Sequence, residues 1–390
     1  MAKGPRKPSR AQVRARLLAE AAAVALPDSI DVCVCGGGAA GLAAAIAAAE
    51  AGASVIVLER SLRCGESILA TGGGRCNLTR SDLDAQAYND PAFVSAVCGP
   101  RFPADVLAFF DACGLATSFE GADDARVYPL SDQAASVRAV LLSRAVRAGV
   151  ILGCGREVIR VEGGTVAFRE LFSERTRSVH AAAIVLAGRD GCVPAELDSA
   201  PFSPVLCPLA ATGLPFEQLD GRRVHARATL QRDGATVHTE YGEVLFRAYG
   251  LSGIVIFNLS RFAQAGDTVE LDLAPTCDDD TFARLAARAG GAFGLIDPAI
   301  VKVLGDAKRV SCTVEGLART ERAQVRRGGL CTAQFDPATL MVRARPGLFA
   351  AGELIDVDGP CGGYNLSWAW QSGRIAGAAA ADHARSRAGA

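Results

Sequence analysis

Histidine is scarce in this 390-residue chain: His180, His225, His238 and His383 are the only four, and none is paired at a ligand spacing. An imidazole-held metal site needs such clustering, so no metal is expected. Cysteine is plentiful, with 13 residues, but lacks any framework: the count is odd and there is no C-x-x-C. That pattern argues against structural disulfides and for a reducing compartment. Cys33 and Cys35, two apart in an apolar run, fall on one face of a strand and pack as small hydrophobes. No G-x-S-x-G nucleophile turn is present, which leaves serine-hydrolase chemistry without its nucleophile. The net charge is −1, so no strong field draws nucleic acid or anionic lipid. No uninterrupted apolar run approaches the ~20 residues of a membrane-spanning helix. These absences together point to a cytoplasmic protein whose partner is a small-molecule substrate, with no metal, nucleic acid or membrane. They leave its oligomeric state open.

What is present is apolar and rich in glycine: half the residues are hydrophobic and 42 are Gly. That is enough for two or three lobes. Residues 1–28 read as an N-terminal extension, basic at Lys3, Arg6, Lys7 and Arg10. Its stretch Leu17–Pro27, interrupted by Glu20 and without a cleavage site, reads as an extra helix rather than a signal peptide. Then come an apolar strand (Ile30–Cys35), a glycine turn, an Ala-rich helix (Ala39–Ala51) and a second strand (Ser54–Leu58) ending at Glu59. This is the opening of a doubly wound sheet. Helical patterns follow at Ala104–Cys113 and Asp132–Ala148, and a parallel strand at Val150–Leu152. Three short runs (Val158–Val161, Thr165–Arg169, Arg175–His180) read as a meander leading into a sheet strand at Ala183–Ala187.

From about Pro194 the texture becomes that of short strands: Val205–Leu209, Val224–Leu230, Thr236–Glu240, Glu243–Phe246, Ile254–Phe257 and Thr268–Leu273. Asp278–Leu304 reads as helical, broken near Gly290-Gly291. The expected organisation is a discontinuous Rossmann-like α/β domain at 29–193 plus 321–390. It is interrupted by a β-rich, barrel-like substrate domain at 194–276 and a small helical domain at 277–320.

Three clusters carry chemistry. Gly36, Gly38 and Gly41 fit G-x-G-x-x-G within Gly36-Gly37-Gly38-Ala39-Ala40-Gly41. In that spacing the first glycine permits the turn, the second lets a pyrophosphate approach the helix N-terminus, and the third lets helix and strand pack closely. Glu59, at the end of the second strand, is placed to accept ribose hydroxyls. The second cluster is Thr71-Gly72-Gly73-Gly74-Arg75-Cys76-Asn77-Leu78-Thr79, where glycine backbone, a fixed charge and polar side chains converge. The third runs from Ala351 to Gly377: Gly352, Glu353, Asp356 and Asp358, then Gly362-Gly363-Tyr364-Asn365-Leu366 opening a long helix. Amides at such a helix start stabilise negative charge on a reduced flavin.

These segments carry a family resemblance. LATGGGRCNLT (69–79), GEVLFRAYGLSG (242–253) and GLFAAGELIDVDGPCGGYNLSWAWQSGRIAG (347–377) closely resemble the BaiN-like, aminoacetone-oxidase-like family of bacterial NAD(P)/FAD-dependent oxidoreductases. Arg126-Val127-Tyr128-Pro129 with Ser131 resembles another segment of that family. The resemblance spans roughly residues 30 to 380. It implies a three-part fold and a noncovalently bound, extended FAD. Arg60, Val158, Ala187 and Gly188 join the three clusters as candidate cofactor residues. The chain departs from the family pattern at Cys64-Gly65-Glu66-Ser67, Leu186-Ala187-Gly188-Arg189, Arg247-Ala248 and Gly253-Ile254.

The expected reaction is two-electron hydride transfer: reduction of an activated alkene or imine, with NAD(P)H as a transient reductant. No second G-x-G-x-x-G provides it a domain of its own. Arg75, Arg126, Tyr128 and Tyr249 are the catalytic candidates. Arg126 suits a bidentate hold on a substrate carboxylate, and Tyr128 or Tyr249 suits proton donation. The alternatives are an amine-type oxidase using O2, a dithiol flavoreductase built on Cys76 and Cys361, an FAD-dependent RNA-modifying factor, and a flavin-binding protein without turnover.

Overall fold

The computed structural model describes residues 8–121, 124–188, 193–323 and 325–389. Lys3, Arg6, Lys7 and Arg189 lie outside them. The chain divides into two compact units, one formed by Met1–Phe202 with Gly328–Ala390 and the other by Ser203–Arg327.

The first unit is built on a parallel sheet in the order Ile151–Cys154, Val55–Glu59, Ser29–Cys35, Thr176–Leu186, with Leu348–Ala350 also parallel to the last. Strands buried on both faces read as continuous apolar runs, and Val32–Cys35 and Val55–Leu58 are wholly buried. The meander Arg156–Glu162 and Thr165–Glu170 adds antiparallel strands to the edge of Thr176–Leu186. That last strand is continuous where two had been expected, because its outer half pairs with the meander and its inner half with the parallel sheet.

Helix Ala39–Glu50 has almost no polar face, since it lies between the sheet and the C-terminal helix Tyr364–Ala388. The two helices approach backbone to backbone. A Cβ added at Gly373 would lie 2.3 Å from the Ala40 carbonyl oxygen, and one at Gly377 would lie 2.1 Å from that of Ala44. A smaller antiparallel sheet, Thr79–Arg80, Asp124–Pro129 and Thr117–Gly121, sits in the same unit.

The N-terminal helix Arg10–Ala23 begins with a Ser9–Gln12 capping box, which satisfies two otherwise orphaned amides. Its far end is held by the buried Arg156 guanidinium, which donates to Ala21 O (3.2 Å), Val24 O (2.7 Å) and Cys154 O (3.1 Å). Among the described residues no single helix is long and apolar enough to cross a membrane. One pair, Pro91–Cys98 and Phe102–Ala112, passes by composition when joined across a 47° bend. Its apolar residues Val94, Val97, Phe102, Val106 and Phe110 are buried in the core of this unit.

The second unit is a closed six-stranded barrel: Leu209–Thr212, Gly250–Ser252, Ala235–Arg247, Arg223–Arg232, Thr268–Asp272 and Arg309–Leu317. Alternate residues such as Ala226, Ala228 and Leu230 point inward. Phe282, Ile300 and Val301, from helices Asp279–Ala289 and Pro298–Leu304, join the same core. The helical stretch and the barrel therefore share one hydrophobic interior.

Several local expectations differ from the structure. Val205–Leu209 is not one strand: Ser199–Val205 ends there and Leu209–Thr212 begins, with Leu206 between them in the left-handed region (φ 53°). Thr236–Glu240 and Glu243–Phe246 are one strand, carried through Gly242. Ile254–Phe257 is helical, part of Ile254–Leu259, which starts after Gly253 at φ 102°. A four-residue apolar run has no periodicity with which to separate the two states. Arg309–Leu317, missed in the sequence, closes the barrel by pairing with both Leu209–Thr212 and Thr268–Asp272.

Candidate functional site

The first glycine loop leaves the sheet at Cys35. Gly36 turns at φ 113°, and a Cβ there would lie 2.6 Å from the Gly188 backbone. Ala187 donates its amide to Cys35 O (2.9 Å), so the loop and the 187–188 turn are locked together. A Cβ at Gly41 would lie 1.9 Å from Gly36 O, which is why the third glycine of the motif admits no side chain. Gly38 differs: it caps the helix without any side-chain hydrogen bond, and a Cβ there would meet only Ser67 Oγ, at 3.5 Å. The first amides of helix Ala39–Glu50, at Ala39, Ala40 and Gly41, carry the positive end of the helix dipole beside this gap at Gly38.

Glu59 reaches back to this loop. Its carboxylate accepts from Gly37 N (2.6 Å) and Ser61 N (2.7 Å), and its remaining lone pairs are available to hydroxyl donors. Arg60, beside it, is exposed and lies 3.7 Å from Glu157. Val158 is half-buried on the neighbouring strand, opposite Phe168.

The second cluster is shaped by left-handed backbone. Gly72, Gly73, Gly74 and Cys76 all have positive φ, and nothing stands within 4 Å of where a Cβ at Gly73 would be. Asn77 is buried. With its amide oriented to suit its neighbours, it donates to Thr79 O (2.9 Å) and Val127 O (3.2 Å) and accepts from Gly363 N (3.2 Å). Ser367 Oγ donates to Thr79 Oγ1 (2.7 Å), and Gly363 lies against the Thr79 backbone so closely that a Cβ would clash at 2.7 Å. The second and third clusters are thus one structure.

Gly363 opens the C-terminal helix at φ 103° with no side-chain cap. Asn365 fixes the preceding loop by accepting from Gly359 N (2.9 Å) and donating to Gly359 O (2.8 Å). Gly352 is tied to this helix too: its amide donates to Ser372 Oγ (2.9 Å) and its carbonyl accepts from Trp368 Nε1 (3.0 Å). Asp356 accepts from Gly328 N (3.0 Å) and Asn89 Nδ2 (3.2 Å). Tyr364 packs edge-on against Tyr88, and Leu366 is partly buried against the core. Glu353 stands half-buried in the turn just before.

The charged candidates gather on the small sheet beside this cradle. Arg75 lies 4.2 Å over the Tyr128 ring and pairs with Glu120 (2.8 Å) and Asp132. Arg126 grips Asp124 through Nε (2.9 Å) and Nη2. The fork expected to hold a substrate carboxylate is therefore already engaged. That bond holds Asp124 down at about 2. Arg80 stands directly opposite Arg126 in register, pairs with Asp82, and lies 5.3 Å over the Tyr364 ring. The three guanidiniums of Arg75, Arg80 and Arg126 face the four carboxylates of Glu120, Asp132, Asp82 and Asp124, so the patch carries no surplus positive charge. Burial raises the Tyr128 phenol above its ordinary value, opposed by nearby Arg126, and Tyr128 stays protonated at neutral pH.

Tyr249 is in the other unit, on the turn between Ala235–Arg247 and Gly250–Ser252. There its carbonyl accepts from Ala211 N (3.1 Å) and Arg319 lies 5.5 Å over its ring. Cys76 is buried, and burial pushes its thiol up to about 11, whereas Cys361 is only partly buried.

A family described as HI0933-like protein Rossmann domain matches residues 30–379. The chain belongs to this family. It is 32% identical, over 90% of its length and 98% of the relative's, to a 3-dehydro-bile acid delta(4,6)-reductase of Clostridium scindens. It is 26% identical, over 88% of its length and 96% of the relative's, to a ribosomal RNA dihydrouridine synthase of Escherichia coli. A solved 3-ketosteroid-delta4-(5alpha)-dehydrogenase from Rhodococcus jostii shares the fold at 17% identity, with a TM-score of 0.50 over 92% of this chain and 98% of that one. As an HI0933-like protein the chain is an FAD-dependent oxidoreductase. Arg80, Asp124, Glu120 and Asn89 were missed in the sequence. Arg80 was within reach, since it directly follows the 69–79 motif. Glu120 and Asn89 meet partners far away in sequence, Arg75 and Asp356, whereas Asp124 pairs with Arg126 only two residues on.

Proposed function

We propose that the protein is a reductase that saturates a carbon–carbon double bond conjugated to a carbonyl in a small organic substrate, with NAD(P)H as electron donor. The observation that carries this reading is the fusion of the 72–79 and 359–367 segments, through Asn77 and Ser367, beneath an uncapped helix start at Gly363. A second uncapped helix start stands at Gly38 in the same unit. Two helix N-termini without side-chain caps suit a cofactor with negative charge at two places. The named activity of the 32%-identical relative, a reductase of a delta(4,6) bile acid, supports the substrate class.

The residues fit FAD. The amides of Ala39, Ala40 and Gly41 would hold the pyrophosphate and Glu59 a ribose. Gly362, Gly363, Tyr364 and Asn365 would hold the flavin's pyrimidine edge. Bound there, FAD supplies two-electron hydride chemistry. The chain's own contribution is positional and electrostatic. The helix start at Gly363 stabilises negative charge, Asn77 fixes that start in place, and Arg75 holds the Tyr128 ring by stacking on it. Tyr128, a neutral phenol whose value burial raises further, is the proposed proton donor to the substrate. A neutral substrate, or one whose carbonyl takes a hydrogen bond from Arg126 Nη1 or Arg80 Nη1, suits the balanced charge of the patch better than a carboxylate does.

The test is the visible spectrum of the purified protein under anaerobic conditions. A flavin spectrum that bleaches with NADH or NADPH and recovers on adding a steroid enone carries the proposal. A flavin that bleaches with neither donor sinks the NAD(P)H assignment. Tyr128→Phe is expected to lower kcat by about 10²-fold with KM little changed. A second reading, reduction of a uracil in ribosomal RNA, is favoured by the 26%-identical synthase. Reoxidation of the bleached flavin by ribosomal RNA, lost at high salt, would replace the small-molecule substrate with that one.

A further inference from the structure

Two cysteines that no motif joins meet under the first glycine loop. Cys64 Sγ and Cys154 Sγ are 3.5 Å apart, although the residues are 90 positions apart in sequence. Cys154 ends the strand Ile151–Cys154 and stands in register with Glu59, so the sheet holds it in place. Cys64 lies on the loop 60–66, which is tied at its start by Ser61 (N to Glu59, 2.7 Å; O from Gly155 N, 2.9 Å) and around Cys64 by Gly65 N donating to Gly37 O (2.7 Å), Arg138 Nε donating to Cys64 O (2.7 Å) and an Arg138–Glu66 pair (3.9 Å). The Cys64 sulfur lies directly against Gly37, only 2.6 Å from where a Cβ would be. Any movement of this sulfur is therefore felt by the loop that carries Gly36, Gly37 and Gly38.

We propose that Cys154 and Cys64 form a peroxide-oxidisable dithiol whose disulfide loosens FAD by pulling Cys64 away from Gly37. The coupling to FAD rests on the reading that this glycine loop seats the cofactor's pyrophosphate. Cys154 reacts first, because it is partly exposed whereas Cys64 is buried. The Cys64 sulfur stands 3.5 Å from it, and a hydrogen bond donated across that contact favours the Cys154 thiolate, the nucleophilic form. The Cys154 thiolate attacks one peroxide oxygen, breaking the O–O bond and releasing hydroxide, and becomes a sulfenic acid. Cys64 then attacks that sulfur, and its proton and the departing hydroxide leave as water. In sum, two thiols and one hydrogen peroxide give one disulfide and two waters: the sulfur pair loses two electrons and the peroxide gains them. The bond requires the sulfurs to close from 3.5 Å to about 2.05 Å. The loop-borne Cys64, rather than the sheet-borne Cys154, travels that distance, and it draws on the Gly65–Gly37 hydrogen bond.

The experiment treats the reduced, full-length holoprotein with one equivalent of hydrogen peroxide under native conditions, alkylates it, and maps its peptides without reduction. FAD dissociation constants are measured by flavin fluorescence on the reduced and oxidised forms. The expected result is a peptide joining Cys64 to Cys154 and an FAD dissociation constant raised roughly fivefold or more, the factor given by loss of one hydrogen bond of ordinary net strength. Thiol reductant reverses both changes. Cys154→Ser and Cys154→Ala bind FAD like the reduced wild type and keep that affinity after peroxide. A map without the Cys64–Cys154 peptide overturns the proposal, and so does a disulfide that leaves FAD affinity unchanged. Reduced protein that takes up no FAD at all overturns the cofactor reading and the coupling with it, while the peptide map still judges the dithiol independently.

Discussion

Gly377→Ala tests whether the C-terminal helix presses on the dinucleotide helix as closely as the structure shows. The new methyl would lie 2.1 Å from Ala44 O and 2.7 Å from both Ala44 C and Ala44 Cα. All three are backbone atoms of a buried helix, so no side chain can swing aside. Helix Ala39–Glu50 cannot retreat toward the sheet, because Gly41 already abuts Gly36 O on that side. The C-terminal helix must move instead, by about 1 Å, to restore an ordinary carbon–oxygen separation. Overpacking of this kind costs about 1–3 kcal/mol, and a rigid obstacle places it at the upper end. Replacing a mid-helix glycine by alanine returns about 1 kcal/mol of helix propensity, which leaves a net loss of about 1–2 kcal/mol. For a unit of this size that lowers Tm by roughly 2–8 °C. The same movement displaces Gly363 and Asn365 at the head of the helix, so FAD affinity falls with stability. Differential scanning calorimetry and flavin titration read the two effects. Gly294→Ala, where nothing stands within 4 Å of the new methyl, is the control and should be near neutral. A Gly377→Ala protein with an unchanged or higher Tm would refute the reasoning, since propensity would then outweigh a clash that the true helix spacing does not impose.

Arg156→Met removes the guanidinium that receives the end of the N-terminal helix and leaves the buried Glu170, 3.8 Å away, without it. Glu170 keeps Arg177 at 3.5 Å, so the loss falls at the lower end of the about 3–5 kcal/mol that breaking a buried pair from one side costs; denaturant unfolding should show it, and limited proteolysis should cut within Arg10–Ala23. Glu59→Gln weakens a charge-assisted acceptor of Gly37 N and Ser61 N, and FAD affinity is expected to fall roughly tenfold by fluorescence titration. Asp124 has its folded value lowered from 3.8 to about 2 by Arg126. A depressed carboxylate contributes stability that is present above its unfolded value and lost as pH falls through the folded one. Asp124→Asn should therefore flatten the decline in stability between about pH 4 and pH 2 and leave its slope at neutral pH unchanged.

The parts of this molecule that were legible in the sequence are those where one backbone requirement admits one residue type. Gly41 must be glycine because Gly36 O fills the place of a side chain, and Gly363 because the Thr79 backbone does. Both therefore appear as motif letters, and the α/β frame around them could be read from apolar runs buried on two faces. The barrel was legible as a texture of short strands but not strand by strand. Inward residues such as Ala226 and Ala228 are small, and the breaks at Leu206 and Gly253 depend on φ rather than on composition. The site was legible where it is made of backbone and illegible where it is made of pairs. Arg126 looked free for a substrate because its partner Asp124, two residues away, was not recognised as one. Cys64 and Cys154 looked unrelated because a parallel sheet brings together segments that share no local pattern. Glu59 stands opposite Cys154 only because Val55–Glu59 and Ile151–Cys154 pair in that register. A register shifted by one residue would turn Cys154 to the other face of the sheet. The thiol contact is a property of strand pairing, and no reading of spacing along the chain contains it.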